Sequence, residues 1–376
     1  METMAHDVWV EVDLAALKHN LKQVKSLLAE DVKIIAVVKA NGYGHGYVQP
    51  SRAFLEAGAH GLAVTRFEEA LALRGAGILA PVLLLAPIQE ENIEAALDCN
   101  LDLTVGSLPC AQAINAAAER IGKAARIQVK VDTGMGRLGL PPQDVAAFFK
   151  SIRDMPRLQV AGTFTHFATA ADRPPKLGRT RRQLQRFQAI LEELRGQKID
   201  YGLAHAANSA ATIRMPESHL DAVRCGNALY GLYSSLHVPH TLDLKSAWKL
   251  KARICEIKEL SKGSHVGYGA EYRTRRKTRI AVIPVGYVDG FTLAPEGPFY
   301  RQSLFKFAVN KLRRRPYLEL HGRKAPVIGR VAMQMTILDV TDLPGAQVGD
   351  EVIVPALRIP SNPFIPRVYL DSPQET

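Results

Sequence analysis

The sequence predicts an α/β protein: a (β/α)₈ barrel of the TIM type over residues 13–234, then a mostly β domain over 235–376 that also takes in a strand at 8–12. Three observations carry this. About eight short apolar segments alternate with helical stretches across roughly 230 residues, the length and rhythm of such a barrel. Beyond Ser234 the pattern turns β-rich and is punctuated by Gly and Pro. A doubly wound open sheet is the alternative, but it carries a Gly-rich phosphate turn after an early strand. Gly42-Tyr43-Gly44-His45-Gly46 does not fit that turn, because its third glycine falls too early.

Val8 to Val12 alternates as a short strand, with no place inside a barrel that has yet to begin, so it is assigned to the β domain. Asp13 suits an N-cap, and Leu14, Leu17, Leu21, Val24 and Leu28 recur at helical spacing. Val32 to Val38 is a buried strand that runs straight into Lys39 and three glycines. Gly61 to Val64, Pro81 to Leu85, Leu101 to Val105, Ala125 to Asp132, Leu158 to Phe164, Asp200 to His205 and Leu220 to Arg224 read as the remaining barrel strands. Arg66 to Arg74 and the basic amphipathic Arg179 to Leu194 read as helices. In the second domain, Trp248 to Leu260, Thr278 to Val285, Pro316 to Leu320, Ala325 to Val340 and Asp350 to Val354 are strand-like. Pro355 to Thr376 reads as irregular.

The chain has 376 residues, 47% hydrophobic and 23% charged, which is ordinary globular usage. No apolar run reaches the roughly 20 residues of a spanning helix, and no secretory signal is visible. The four cysteines are scattered without metal or redox spacing, as in a cytoplasmic protein. The net charge of +11 is concentrated in two runs, Arg273 to Arg279 and Lys311 to Arg315. No aromatic interleaving or nucleic-acid motif accompanies them, so solvated loops are favoured over nucleic-acid binding.

In a barrel the active site lies at the C-terminal ends of the strands. Those ends give Lys39 and Tyr43 after the first, then Lys130, Asp132 and Arg137 after the fifth. His166 follows the sixth; His205, Asn208 and Ser209 follow the seventh; Arg224 and Gly226 close the eighth. A lysine at the end of a buried strand is costly unless it snorkels, pairs or does chemistry. Burial also lowers its pKa and makes it nucleophilic, which suits a carbonyl cofactor held as a Schiff base. The bland alternative is a lysine that caps a strand in solvent.

The stretch Ala36-Val37-Val38-Lys39-Ala40-Asn41-Gly42-Tyr43-Gly44-His45-Gly46 resembles the pyridoxal-phosphate signature of the alanine racemase family. Lys130 to Gly139, Thr165-His166-Phe167, His205 to Ala211 and Val223 to Gly231 resemble further family blocks in the same order. So do Val266-Gly267-Tyr268-Gly269, Pro284 to Gly290 and Gly329-Arg330-Val331-Ala332-Met333. The resemblance spans Trp9 to Val354, with an echo at Ile365 to Tyr369. It implies an enzyme that interconverts L- and D-alanine by a two-base mechanism on a pyridoxal 5'-phosphate aldimine, supplying D-alanine for peptidoglycan. It implies that Lys39 carries the cofactor and serves one face, and that Tyr268 serves the other. Tyr43, Asn208, Ser209, Gly226 and Asn227 correspond to the phosphate surroundings. Arg224 corresponds to the donor to the pyridine nitrogen and His166 to its partner. Arg137 and Met333 correspond to substrate-binding residues, and Lys130 to a lysine that can be carbamylated. Tyr268 and Met333 would come from the other subunit of a homodimer with composite sites.

The pattern departs in three places. The family commonly reads Cys-Met-Asp-Gln where this chain has Ala332-Met333-Gln334-Met335. A phosphate-binding tyrosine falls on Pro363, and an arginine is replaced within Phe291-Thr292-Leu293. These leave open a racemase of other or broader specificity, serine for example, and a non-catalytic pyridoxal-phosphate-binding protein as a further alternative.

Overall fold

A computed structural model describes residues 6–292, 316–359 and 361–371 and divides into two units. One is built on Asp13–Ala247; the other is built on Trp248–Leu370 together with the segment ending at Val12. Strand β1 (Val8–Asp13) precedes the barrel and pairs outside it.

Eight parallel strands close the barrel: β2 (Lys33–Val37), β3 (Gly61–Val64), β4 (Val82–Leu84), β5 (Asp102–Val105), β6 (Ala125–Lys130), β7 (Leu158–Phe164), β8 (Leu203–Asn208) and β9 (Ala222–Cys225). Strand β9 returns to β2, with Ile35 opposite Arg224. The apolar runs of β3 and β4 are buried throughout, as strands covered on both faces should be. Asp13 caps the helix Leu14–Lys25 by accepting the Ala16 N–H at 2.8 Å. That helix buries Leu14, Leu17, Leu21 and Val24, the stripe predicted from spacing.

Three barrel expectations need correction. The strand predicted over Asp200 to His205 lies at Leu203–Asn208. Asp200 accepts the Gly202 N–H at 2.9 Å and Gly202 takes φ +62°, so these residues turn the chain instead. His205 therefore sits inside a strand rather than after one. The long basic helix starts at Pro174, not Arg179, with proline in the first turn where no N–H is needed. Residues 235–247 pack with the barrel rather than with the β unit. The Asn20 side chain donates to the Lys245 carbonyl at 2.8 Å and accepts the Lys245 N–H at 2.7 Å.

The β unit holds β10 (Trp248–Arg253), β11 (Glu256–Leu260), β12 (His265–Val266), β13 (Tyr272–Arg273), β14 (Thr278–Ile283), β15 (Tyr317–Leu320), β16 (Arg323–Pro326), β17 (Thr336–Asp339), β18 (Glu351–Val354) and β19 (Arg367–Leu370). Five of them, with β1, make a six-stranded sheet of order β16-β15-β18-β10-β1-β19, and three more make a sheet of order β11-β14-β17. The stretch Trp248 to Leu260, expected as one strand, is split between these sheets. Ala325 to Val340 likewise divides into β16 and β17, with Met333 in the loop between them. The tail expected to be irregular contains β19, which lies beside β1.

In the first basic run, Arg276 pairs with Asp342 at 2.7 Å, Lys277 with Glu259 at 2.6 Å, and Arg279 donates to the carbonyls of Pro344 and Ala346. The second run, Lys311 to Arg315, lies outside the described residues. Among the described residues no helix is long and apolar enough to cross a membrane.

Candidate active site

At the C-terminal ends of the barrel strands lies a cavity of about 370 Å³, within the range of small-molecule sites. Lys39, Tyr43, Lys130, Arg137, His166, Asn208, Ser209, Arg224, Gly226 and Asn227 all line it. The barrel thus brings together the cofactor- and substrate-binding residues expected within it, while Asp132 and His205, also read at strand ends, do not line the cavity. Ser234, Thr65 and Phe164 join them without having been singled out from the sequence.

Lys39 follows β2 by two residues and opens an unusual turn. Ala40, Asn41 and Gly42 take φ of +54°, +53° and +56°, and Tyr43 takes +53°. Such left-handed backbone costs roughly 1–2 kcal/mol at each non-glycine residue, so something must hold it. Glu69, nearly buried, does so in part: it accepts the Ala40 N–H at 2.8 Å and the Thr65 N–H at 2.9 Å. The turn brings the Tyr43 ring onto the cavity wall, stacked on Tyr230 at 4.8 Å. Burial lowers the pKa of Lys39; the Arg137 guanidinium lowers it further, and Glu69 opposes. The amine is thereby biased toward its neutral, nucleophilic form.

Hydroxyls and backbone N–H groups gather on one side of the cavity. Ser209 Oγ accepts the N–H groups of Gly226 at 3.0 Å and Ala228 at 3.3 Å, which leaves its own proton to donate. Burial pushes the Tyr43 phenol up to about 12, so it stays a protonated donor. Gly226 is required here, since a Cβ would lie 2.4 Å from the Tyr43 hydroxyl. Asn208 caps the following helical turn through the Ala211 N–H at 3.1 Å. The donor set fits a phosphate group.

Arg224 enters from β9, almost wholly buried. Its NH1 donates to His205 Nδ1 at 2.7 Å and to the His205 carbonyl at 2.9 Å. Its NH2 faces the Thr165 carbonyl at 2.6 Å, the Ala206 carbonyl at 3.2 Å and His166 Nδ1 at 3.4 Å. Of its five N–H groups, Nε–H is the one with no protein acceptor among the described residues, and the side chain lines the cavity. That spare donor suits an aromatic ring nitrogen. Burial, with the positive charges of Arg224, Arg137, Lys130 and Lys39, pulls His166 down to about 3, so it is neutral. Phe164 stacks on His205 at 5.0 Å and lies under both Arg224 and Lys130.

Lys130 ends β6. Burial and then Arg224, Arg137 and Lys39 lower it to about 8, against Asp132, which raises it. Arg137 stands on a loop knotted by Asp132, whose carboxylate accepts the N–H groups of Gly134, Met135 and Gly136 at 2.8–3.1 Å. Burial alone would raise the Asp132 pKa, but these donors outweigh it and hold the carboxyl below its ordinary value.

Tyr268 and Met333 belong to the β unit and do not line this cavity. They are 71% and 58% exposed. A tyrosine kept for packing in a strand turn would be covered, and Tyr268 is not.

Fold and site together define an enzyme of the barrel-plus-β-domain class, with its cavity at the C-terminal ends of the barrel strands. The chain belongs to the alanine racemase family: it matches the family's N-terminal domain over residues 12–234 and its C-terminal domain over 247–359. It is 41% identical to alanine racemase of Desulforamulus reducens over 355 residues, covering 93% of this chain and 90% of that one. It is 39% identical to alanine racemase of Methanococcus maripaludis over 353 residues, covering 93% and 89%. Among solved structures, alanine racemase of Clostridium difficile 630 superposes with TM-score 0.89 at 31% identity, covering 98% of this chain and 97% of that one. The enzyme of Bacillus anthracis with bound L-Ala-P does so at 0.81 and 30%, covering 98% and 96%.

Proposed function

We propose that the chain interconverts L- and D-alanine with pyridoxal 5'-phosphate held at the barrel mouth. The observation that carries this is Lys39: an amine of lowered basicity, on the wall of a cavity that also offers a phosphate-type donor set and the unused Nε–H of Arg224. Lys39 would bind the cofactor. Tyr43, Ser209, Gly226 and Asn227, with Asn208 beside them, would surround its phosphate, and Arg224 would face its ring nitrogen. When bound, the cofactor supplies an electron sink that makes the substrate Cα–H acidic.

The protein's own groups then move the protons. Lys39 Nζ takes or returns the proton on one face of Cα, and the Tyr268 hydroxyl serves the other. Arg224 stays charged and only donates, so it would leave the ring nitrogen of the bound cofactor unprotonated. Arg137 and the backbone at Met333 would receive the substrate carboxylate. Lys130, part-neutral near pH 8, is chemically suited to carbamylation, and the resulting anion would orient Arg137.

Tyr268 and Met333 require a second copy of the chain in this scheme, giving a homodimer with composite sites. Support comes from a cluster of exposed apolar side chains in the β unit. The Tyr287 N–H donates to the Ala332 carbonyl and the Val288 N–H to that of Met333, which sets exposed Tyr287, Val288, Met333 and Met335 on adjoining strands of backbone. Exposed apolar clusters of this kind mark association surfaces. Supply of D-alanine to peptidoglycan, and residence in the cytoplasm, complete the reading.

The test is racemisation from each enantiomer with added pyridoxal phosphate. Lys39→Ala should abolish covalent cofactor binding. Tyr268→Phe should keep the cofactor yet lose removal of the L-alanine proton by about 10²-fold or more. Full activity on L-alanine in Tyr268→Phe would refute the two-base assignment. A rate panel that includes serine decides whether Gln334 has widened the substrate range.

A further inference from the structure

A buried polar chain runs through the barrel beneath the cavity, and the site as described above uses only its last member. Arg126 donates to both oxygens of Asp102, at 2.7 and 3.2 Å. Gln128 Nε2 donates to Asp102 Oδ2 at 2.9 Å, Gln128 Oε1 meets His205 Nε2 at 3.0 Å, and His205 Nδ1 meets Arg224 NH1 at 2.7 Å. Asp102, Gln128, His205 and Arg224 are each at least 95% buried. The backbone leaves room for this chain: a Cβ on Gly162 would lie 2.4 Å from Gln128 Oε1.

We propose that Asp102 and Gln128 are positioning residues, which fix the tautomer of His205 and through it the aim of the Arg224 Nε–H. The logic is one of donors and acceptors. Asp102, clamped by Arg126, can only accept, so the nitrogen of the Gln128 amide must face it. The amide oxygen then faces His205 Nε2, and that nitrogen must carry the hydrogen. In the neutral ring Nδ1 is left as a lone pair, which is the only form able to accept from Arg224. The polarity of every link is thus set at the Asp102 end, where the clamp prevents rotation. Arg224, with several carbonyls around it, is the end that would swing. With the opposite tautomer, N–H would confront N–H at 2.7 Å and the guanidinium would turn, carrying its free Nε–H off line.

The consequence for the cofactor rests on the pyridoxal-phosphate reading; the tautomer does not. The test is therefore read twice, on the full-length protein labelled with ¹⁵N-histidine. Ring nitrogen shifts are recorded after cofactor removal, and the affinity for pyridoxal phosphate is measured by titration. In the wild type His205 should show a single Nε2–H form. Asp102→Asn introduces a donor where only an acceptor fits, so the signature should shift toward Nδ1–H or a mixture. Cofactor affinity should fall by about tenfold or more. Asp102→Glu, which still accepts, should restore the wild-type signature. Gln128→Leu, which spares the Asp102–Arg126 pair, should also lose the single form and serves if Asp102→Asn does not fold. An Nδ1–H or doubly protonated ring in the wild type overturns the proposal. So does an unchanged signature in both variants, whatever happens to affinity. A wild-type protein that takes up no pyridoxal phosphate would sink the cofactor reading and leave the nitrogen result to stand or fall alone.

Discussion

Lys130 is a cation that the folded barrel holds against its preference. Its pKa drops from 10.5 to about 8, so below pH 8 folding must bury a charge that the unfolded chain keeps in water. The penalty is present in full at pH 7 and is relieved as pH rises from about 8 to about 10.5. Lys130→Met should therefore stabilise the protein at pH 7, by up to about 3 kcal/mol, and flatten the alkaline rise in stability. Urea midpoints across that range, in buffer free of carbon dioxide, check it. His166 sends the opposite limb the same way. Its folded pKa of about 3 lies below the ordinary 6.5, so the unfolded chain binds the extra proton and stability falls as pH drops from about 6.5 toward 3. His166→Asn should reduce that acid slope, by at most about 1.4 kcal/mol for each pH unit in the window.

Among elements, the loop after β6 is the clearest case of a short sequence that builds its own shape. Asp132 gathers three N–H groups, and Gly139 approaches so closely that a Cβ would lie 2.9 Å from the Asp132 N and the Lys130 O. Asp132→Ala leaves those donors unpaired and should cost about 1–3 kcal/mol, with a larger loss in activity than in cofactor binding because Arg137 rides on the loop. Thermal melts and kinetics on one preparation separate the two effects. This loop was legible in the sequence, since Asp and closely spaced Gly announce a turn. So was Lys39, which stands out against the apolar strand before it. The polar chain under Arg224 was not. Asp102 and Gln128 sit on strands that look half-polar when read singly, and only closure of the barrel turns them toward one another. His205 reads as lying beyond its strand for a related reason: from sequence alone the turn at Asp200 to Gly202 looks like the strand's beginning. Strand β19 was hidden by its neighbours Pro363 and Pro366, whose turn signal outweighs four extended residues.

At the scale of the whole molecule, the composite-site reading makes a quantitative demand. Lys39→Ala and Tyr268→Phe, each inactive alone, are mixed one to one and allowed to exchange subunits. If each site takes its lysine from one chain and its tyrosine from the other, half of the dimers are hybrids, and each hybrid has one intact site. About a quarter of wild-type activity should return. No recovery, after exchange has been verified by mass, would place both groups in one chain or deny the tyrosine its part.

Strand β1 sits between β10 and β19, so the first strand made is flanked by one from the middle of the chain and one from near its end. During synthesis the barrel segment is contiguous and can close as it leaves the ribosome. Strand β1 can pair along one edge once β10 has emerged, but its other edge stays bare until β19 follows more than a hundred residues later. A nascent chain stalled just short of Arg367 would carry a finished barrel and an unfinished seam, and that seam is where misassembly would begin.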